Sequence, residues 1–288
     1  MSAPRSGPTL ALRLVAADLR ARREAAGMTM AAAAGILTAH EITISRMERA
    51  ITSLKPRAVE RLLRAYGTEE REIDEMLAKL AAANRPGWWH DYRDLLSGDL
   101  AGVIDLESGA EIIRAYEPGL VPDLLQTPDY AHALLRTRFP HEAKSQVERR
   151  LELLAARQRA AFERPSPLRF WVLIEEAALH RRVGTTKVME KQVEYLNGFV
   201  ADRSSRIAVQ VMPLTVPPHP LLTSGPAEVL RFTHVHLADR LVVRGLYREA
   251  VTVTDDINAI RTYMKAFDDS CLSAPLPTTP IAMRSIPA

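Results

Sequence analysis

Thr29-Met30-Ala31-Ala32-Ala33-Ala34-Gly35-Ile36-Leu37-Thr38-Ala39-His40-Glu41-Ile42-Thr43-Ile44-Ser45-Arg46-Met47-Glu48-Arg49 reads as two short helices joined by a turn of three or four residues, the spacing of a helix-turn-helix. Thr29 suits the N-cap of an alanine-rich helix running to about Leu37, and a second helix spans about His40 to Arg49. Two helices meeting at a steep angle need a small residue at their closest approach, which Ala34 supplies. Leu37, Ile44 and Met47 seat the second helix. Its opposite side then presents Glu41, Ile42, Thr43, Ser45, Arg46 and Arg49 to solvent, on a scale that fits a major groove about 12 Å wide.

Three more helices enclose this pair. Thr9 can cap a first helix with Leu12, Val15 and Leu19 on one face and Gly27 at its end. Ser53 precedes a fourth with Pro56 in its first turn and Val59, Leu62, Leu63 and Tyr66 inward, closed by Gly67. Thr68 opens a fifth, with Ile73, Met76, Leu77 and Leu80 inward, ending near Asn84 ahead of Pro86. The expected N-terminal domain is therefore all-helical and covers residues 10–84. Charge is distributed unevenly along the chain. Residues 1–66 hold eleven Lys/Arg against five Asp/Glu, residues 67–84 hold two against five, and the remainder balances, so the positive surplus lies in the first 66 residues.

From about Leu12 to Tyr66 the chain resembles the XRE helix-turn-helix family of bacterial and phage repressors in a single register, through Arg20–Arg23, Ala26-Gly27-Met28-Thr29, Ala34 and Ile44-Ser45-Arg46-Met47-Glu48-Arg49. The resemblance implies an ion pair between Arg23 and Glu48 that staples the first helix to the third. Where the family carries a phosphate-holding Gln this sequence has Met30, so the backbone N–H groups at Thr29 and Met30 are left to hold the phosphate. The family's turn glycine is Thr38 here. Thr38 is either a left-handed residue strained by roughly 1 kcal/mol or a cap for the third helix with Glu41 as its partner. The glycine after the third helix is Ala50.

The chemistry of the outward residues assigns their expected roles. Arg46 suits guanine or a phosphate, Glu41 accepts from cytosine, and Ile42 and Thr43 pack on a thymine methyl. Arg49, Lys55 and Arg57 cluster near the entry to the fourth helix as phosphate clamps that orient without reading sequence. Outside a complete helix-turn-helix register, Arg46 and Arg49 would be an ordinary solvated helix face.

Past Pro86-Gly87 the pattern changes. Helices are expected over Ser108–Tyr116, Asp129–Thr137, His141–Phe162, Lys187–Val200 and Asp255–Phe267. Strands are expected over Leu168–Ile174, Ile207–Pro213, Glu228–Phe232 and Leu241–Arg244. The result is an α+β domain over residues 85–274, followed by a proline-rich tail, 275–288, expected to be disordered. Pro86-Gly-Trp88-Trp89-His90, the run from Tyr116 to Ala131, Trp171–Leu179, Val209–Pro213 and Tyr263–Asp268 resemble the C-terminal domain of a large actinobacterial group of antitoxin-like XRE regulators. That resemblance implies regulation, with a small partner protein often associated.

Other chemistries find less support. Glu175 and Glu176 are adjacent and, on a strand, would face opposite sides. His234 and His236 would share a strand face and, with His219, raise a metal site, but exposed strand histidines are more often solvated, and no metal or cofactor is expected. Cys271 reads as a small buried apolar residue, and Trp88 and Trp89 either line a ligand pocket or, the favoured reading, pin the start of the second domain against the fifth helix. One cysteine, no signal-type N-terminus and no bilayer-length apolar run point to the cytoplasm and away from membranes. The expected function is a non-enzymatic, dimeric transcriptional regulator that reads a double-stranded DNA operator, its C-terminal domain receiving a partner protein or small-molecule effector. The competing reading is an antitoxin-like module that sequesters a small partner and binds DNA only for autoregulation.

Overall fold

The computed structural model describes residues 9–245 and 250–282, which fall into two compact units: 9–109 with Phe232–Ala238, and Ala110–Arg231 with 239–282. The first unit holds α1 (Leu10–Ala25), α2 (Met30–Leu37), α3 (Glu41–Glu48), α4 (Pro56–Ala65), α5 (Glu70–Ala83) and α6 (Gly98–Gly109), with a 3-10 turn over Trp88–Tyr92. Its core joins Leu12, Val15 and Leu19 to Ala34, Ile44 and Met47 and to Val59, Leu62, Leu63, Ile73, Met76 and Leu80. The side chains that helical periodicity places inward are the ones that meet.

This unit is larger than the five-helix segment 10–84. Residues 85–109 pack onto it through the Trp88-Trp89 turn and α6. The indole N–H of Trp89 donates to Asp105 Oδ1 at 3.0 Å, that of Trp88 donates to Ser108 Oγ at 3.1 Å, and the backbone N–H of Leu10 donates to Asp105 Oδ2. The tryptophans are thus tied to α6, which the sequence reading did not anticipate. Thr9 caps α1 by accepting from the Leu12 N–H at 3.2 Å, and its hydroxyl donates to the Ala83 carbonyl at 3.1 Å, so one side chain completes two helix ends.

The second unit is built on one six-stranded sheet in the order β3-β2-β1-β4-β5-β6: β1 (Ile112–Glu117), β2 (Arg169–Glu175), β3 (Ile207–Met212), β4 (Ala227–Arg231), β5 (Arg240–Arg244) and β6 (Val251–Thr254). The β3-β2-β1 half is parallel and β1-β4-β5-β6 is antiparallel. The parallel half is joined through α7 (Pro128–Arg138) and α8 (Lys144–Phe162), then α9 (Glu176–His180) and α10 (Thr186–Ala201), because parallel neighbours need long crossovers. α11 (Ile257–Ser273) lays Ile260, Tyr263 and Phe267 against Tyr116, Leu173, Met212, Val229 and Leu241. The mixed sheet with helices is α+β, as the sequence indicates.

Two expectations are corrected. Ser108–Tyr116 is not a helix: α6 ends at Gly109, and the β-branched pair Ile112-Ile113 opens β1, the strand between β2 and β4. Residues 275–282 of the expected disordered tail have defined partners. Gln210 Nε2 donates to the Pro275 carbonyl at 2.8 Å, and the Asn197 side chain both donates to the Ile281 carbonyl and accepts from its N–H, at 2.9 and 2.8 Å. The last part of that tail, 283–288, lies outside the described residues. No helix among the described residues is long and apolar enough to cross a membrane.

Burial is the main influence on Asp105 and pushes its carboxyl above the ordinary 3.8, against the two hydrogen bonds and the nearby Arg13 charge. A carboxyl with a raised folded pKa keeps its proton after the unfolded chain has lost it. Its contribution to stability is therefore full below 3.8 and declines as pH rises through the folded value. Urea denaturation of wild type and Asp105→Asn across pH 3 to 8 should show the wild-type advantage shrinking from about pH 4 upward and then levelling. A difference that is flat over this range would contradict the burial assigned to Asp105.

Candidate nucleic-acid interface

α2 begins at Thr29, whose hydroxyl accepts from the Ala32 N–H at 3.1 Å; three residues, 38–40, separate its end from α3. Ile44 and Met47 are buried in the core, Ala34 is buried where α2 faces α3, and Leu37 is half-buried at the rim. Glu41, Ile42, Arg46 and Arg49 are exposed, while Thr43 and Ser45 are half-buried. The inward and outward sides of α3 thus separate as the apolar spacing requires. Lys55 and Arg57 are exposed at the start of α4, and Thr29 and Met30 sit at the start of α2 with Met30 half-buried.

Arg23 and Glu48 hold α1 to α3. Arg23 Nε and Nη2 donate to Glu48 Oε1 and Oε2 at 2.6 and 2.9 Å, and Nη1 donates to the Met28 carbonyl at 2.8 Å. Both side chains are buried, at 7% and 2% exposure, so this is a closed ion pair and not a surface contact. The hydrogen bonds to Glu48 push the Arg23 guanidinium pKa up further, and burial pushes the neighbouring Tyr66 hydroxyl up to about 12, so Tyr66 adds no charge beside the pair.

The cations of this unit divide in two. Arg20, Arg22 and Arg64 pair with Glu24, Glu72 and Glu70, and each hydrogen bond holds its carboxylate below the ordinary range. Arg46, Arg49, Lys55 and Arg57 engage no carboxylate among the described residues. Lys79 and Arg85, near the end of α5, are likewise without a carboxylate partner among the described residues, while around α3 and the entry to α4 four such cations fall within residues 46–57. Two residues beyond the expected set belong here. Ile51, directly after α3, is an exposed apolar side chain at 57%, and Arg61 donates to the Ile36 carbonyl at the end of α2. Ile51 follows a left-handed residue that breaks the helical periodicity, which hid it from a reading based on spacing.

Four helices end in one motif. The N–H groups of Met28, Ala39, Ile51 and Thr68 donate back to the carbonyls of Arg23, Ala34, Arg46 and Leu63, each across a left-handed residue: Gly27, Thr38, Ala50 and Gly67. Thr38 has φ 54° and Ala50 φ 55°. Of the two possibilities for Thr38, the left-handed one holds. His40 is the N-cap of α3 and makes no side-chain cap bond, so the box with Glu41 does not form.

The remaining polar candidates lie elsewhere. His234 pairs with Asp18 at 3.2 Å within the first unit, in a loop and not on a strand. His219 is buried in the second unit, with Nε2 2.8 Å from Glu175 Oε1 and Nδ1 3.0 Å from Ser270 Oγ; Tyr116 Oη donates to the same Glu175 oxygen at 2.9 Å. Glu175 ends β2 and Glu176 starts α9, so the two adjacent carboxylates serve different surroundings. Cys271 is buried, and desolvation pushes its thiol up to about 12.

Residues 14–76 match the model of a helix-turn-helix domain, which with this geometry makes the chain a DNA-binding regulator of the helix-turn-helix class. Residues 100–280 match the model of a domain of unknown function, DUF5753. That match covers well over half of the sequence, and the chain belongs to the DUF5753 family. Comparison with curated proteins and with solved structures returns no match.

Two outcomes are expected. Left-handed backbone costs an L-residue roughly 1–2 kcal/mol and a new glycine gives back roughly 0.4–1 kcal/mol through the unfolded chain. Thr38→Gly, at an exposed position, should therefore raise stability in urea melts, and a loss there would contradict the turn geometry. Glu48→Ala leaves a buried guanidinium unpaired and should cost about 3–5 kcal/mol. Chemical denaturation showing less than 1 kcal/mol would remove the pair from the core.

Proposed function

We propose that the first unit, of XRE type, binds one short double-stranded DNA operator with α3 in the major groove, and that the protein works as a cytoplasmic homodimer whose two copies of α3 lie about 34 Å apart, one turn of DNA. Glu41, Ile42, Thr43 and Arg46 read base edges. Arg49, Lys55, Arg57 and the N–H groups at the start of α2 hold phosphates. The observation that carries this reading is the outward side of α3, whose arginines are exposed and engage no carboxylate among the described residues, while Glu48 on the inward side is locked to Arg23.

The second unit, in this reading, receives a partner protein or a small molecule and shifts the population competent for DNA; it is not an enzyme. The arrangement most like a catalytic one is Ser270-His219-Glu175, and its serine has 0% exposure, which favours a structural role over a nucleophilic one.

Selection from a randomised duplex pool, followed by titration of the selected site with wild type and Arg46→Ala, tests the proposal. Arg46→Ala should weaken that site by about 1–3 kcal/mol and relax preference at one position, with an unchanged urea midpoint. Equal affinity of the two proteins for the site would dismiss Arg46 as a reader. Failure to enrich any sequence at low salt would dismiss the function.

A further inference from the structure

The second unit contains a cleft of about 160 Å³ beside the edge strand β3. Val209 and Val211 form its floor and Leu179 of α9 one wall. The chain's own segment 275–282 covers it, contributing Leu276 and Ile281. This cover differs from ordinary core. Six of its eight residues are exposed, Leu276 at 71%, and its recorded ties to the rest of the unit are amide hydrogen bonds from Gln210 and Asn197. A segment with little buried apolar surface, held by a few hydrogen bonds, opens at low cost relative to the core behind it.

The polar end of the cleft is the Glu176–His180 pair, at 3.3 Å, with the second Glu176 oxygen accepting from the Leu214 N–H at 2.8 Å. A carboxylate beside a half-exposed imidazole makes this corner receptive to a hydrogen-bond donor and unfavourable for an anion. Size restricts the remainder: a cavity of roughly 150 Å³ with aliphatic walls takes a benzene-sized molecule.

We propose that this cleft is the small-molecule site of the second unit, taking a benzene-sized apolar group that carries one hydroxyl or ammonium donor, with segment 275–282 as its removable roof. The proposal rests on the signal-receiving reading of that unit. The apolar group lies on Val209 and Val211, the donor meets the Glu176–His180 corner, and the roof lifts to admit the ligand and closes over it.

Methyl-resolved NMR titration of the full-length protein with benzyl alcohol, benzylamine and benzoate tests this. Saturable shifts centred on the Val209, Val211 and Leu179 methyls are expected for the alcohol and the amine, with benzoate at least tenfold weaker. Val209→Phe and Leu179→Phe fill the cleft from two sides and should each abolish those shifts; the melting temperature identifies a variant that has simply failed to fold. Absence of saturable binding by all three probes, benzoate binding as well as the amine, or unchanged binding in a folded filled variant overturns the site. The selected DNA duplex is then titrated with and without benzyl alcohol. Binding in the cleft that leaves DNA affinity unchanged upholds the site and overturns the signal-receiving reading, so the two failures are distinguishable.

Discussion

The bidentate pair between Arg23 and Glu48 is the constraint on which the reading head depends. A guanidinium fork meeting a carboxylate has a direction as well as a strength, so it fixes the rotation of α3 about its own axis, whereas apolar contacts alone tolerate sliding. The third bond, to the Met28 carbonyl, extends the same hold to the turn before α2. With Ile44 and Met47 buried on one side of this anchor, Glu41, Ile42 and Arg46 have no orientation left except outward. Removing the pair from water is costly. What offsets that cost is complete hydrogen bonding within a closed site.

The repeated helix ending serves the same purpose. Each left-handed residue turns the chain sharply and satisfies terminal carbonyls, which lets α1 to α5 follow one another through very short connections. Gly27 and Gly67 adopt this conformation freely. Thr38 and Ala50 do so under strain, and they bracket α3. The strain is tolerated because the core on the inward side of α3 leaves its ends no alternative path.

Much of the first unit was legible in the sequence because its determinants are local. Helical periodicity of Leu12, Val15 and Leu19, or of Val59, Leu62 and Leu63, identifies inward faces without knowledge of partners. The Arg23–Glu48 pair was reached through the resemblance of its register, since 25 residues separate the two. What was missed lacks a local signature. The six residues Ile112–Glu117 are too short a run to distinguish a strand from the end of a helix, and only the neighbouring strands of the sheet decide it. Trp88, Trp89 and Asp105 meet through α6, an element the sequence reading did not contain. The proline-rich composition of 275–282 argued for disorder, and the side-chain amides of Asn197 and Gln210 override it.

The second unit applies the physics of the ion pair to residues far apart in sequence. Tyr116 comes from β1, Glu175 from β2, His219 from the connection between β3 and β4, and Ser270 from α11, and all four are buried. No spacing rule unites them, because only the parallel pairing of β1 with β2 and the docking of α11 bring them into reach. Once assembled, each polar atom depends on the others, since a missing partner leaves a group with neither protein nor water to bond. Such a set joins the two sheet strands to the helix that covers them, and its burial suits it to fixing that geometry. The buried polar groups of this chain thus act as directional joints in both units. In the first unit the joint leaves a charged helix face open to solvent; in the second it secures the sheet whose edge strand floors the cleft.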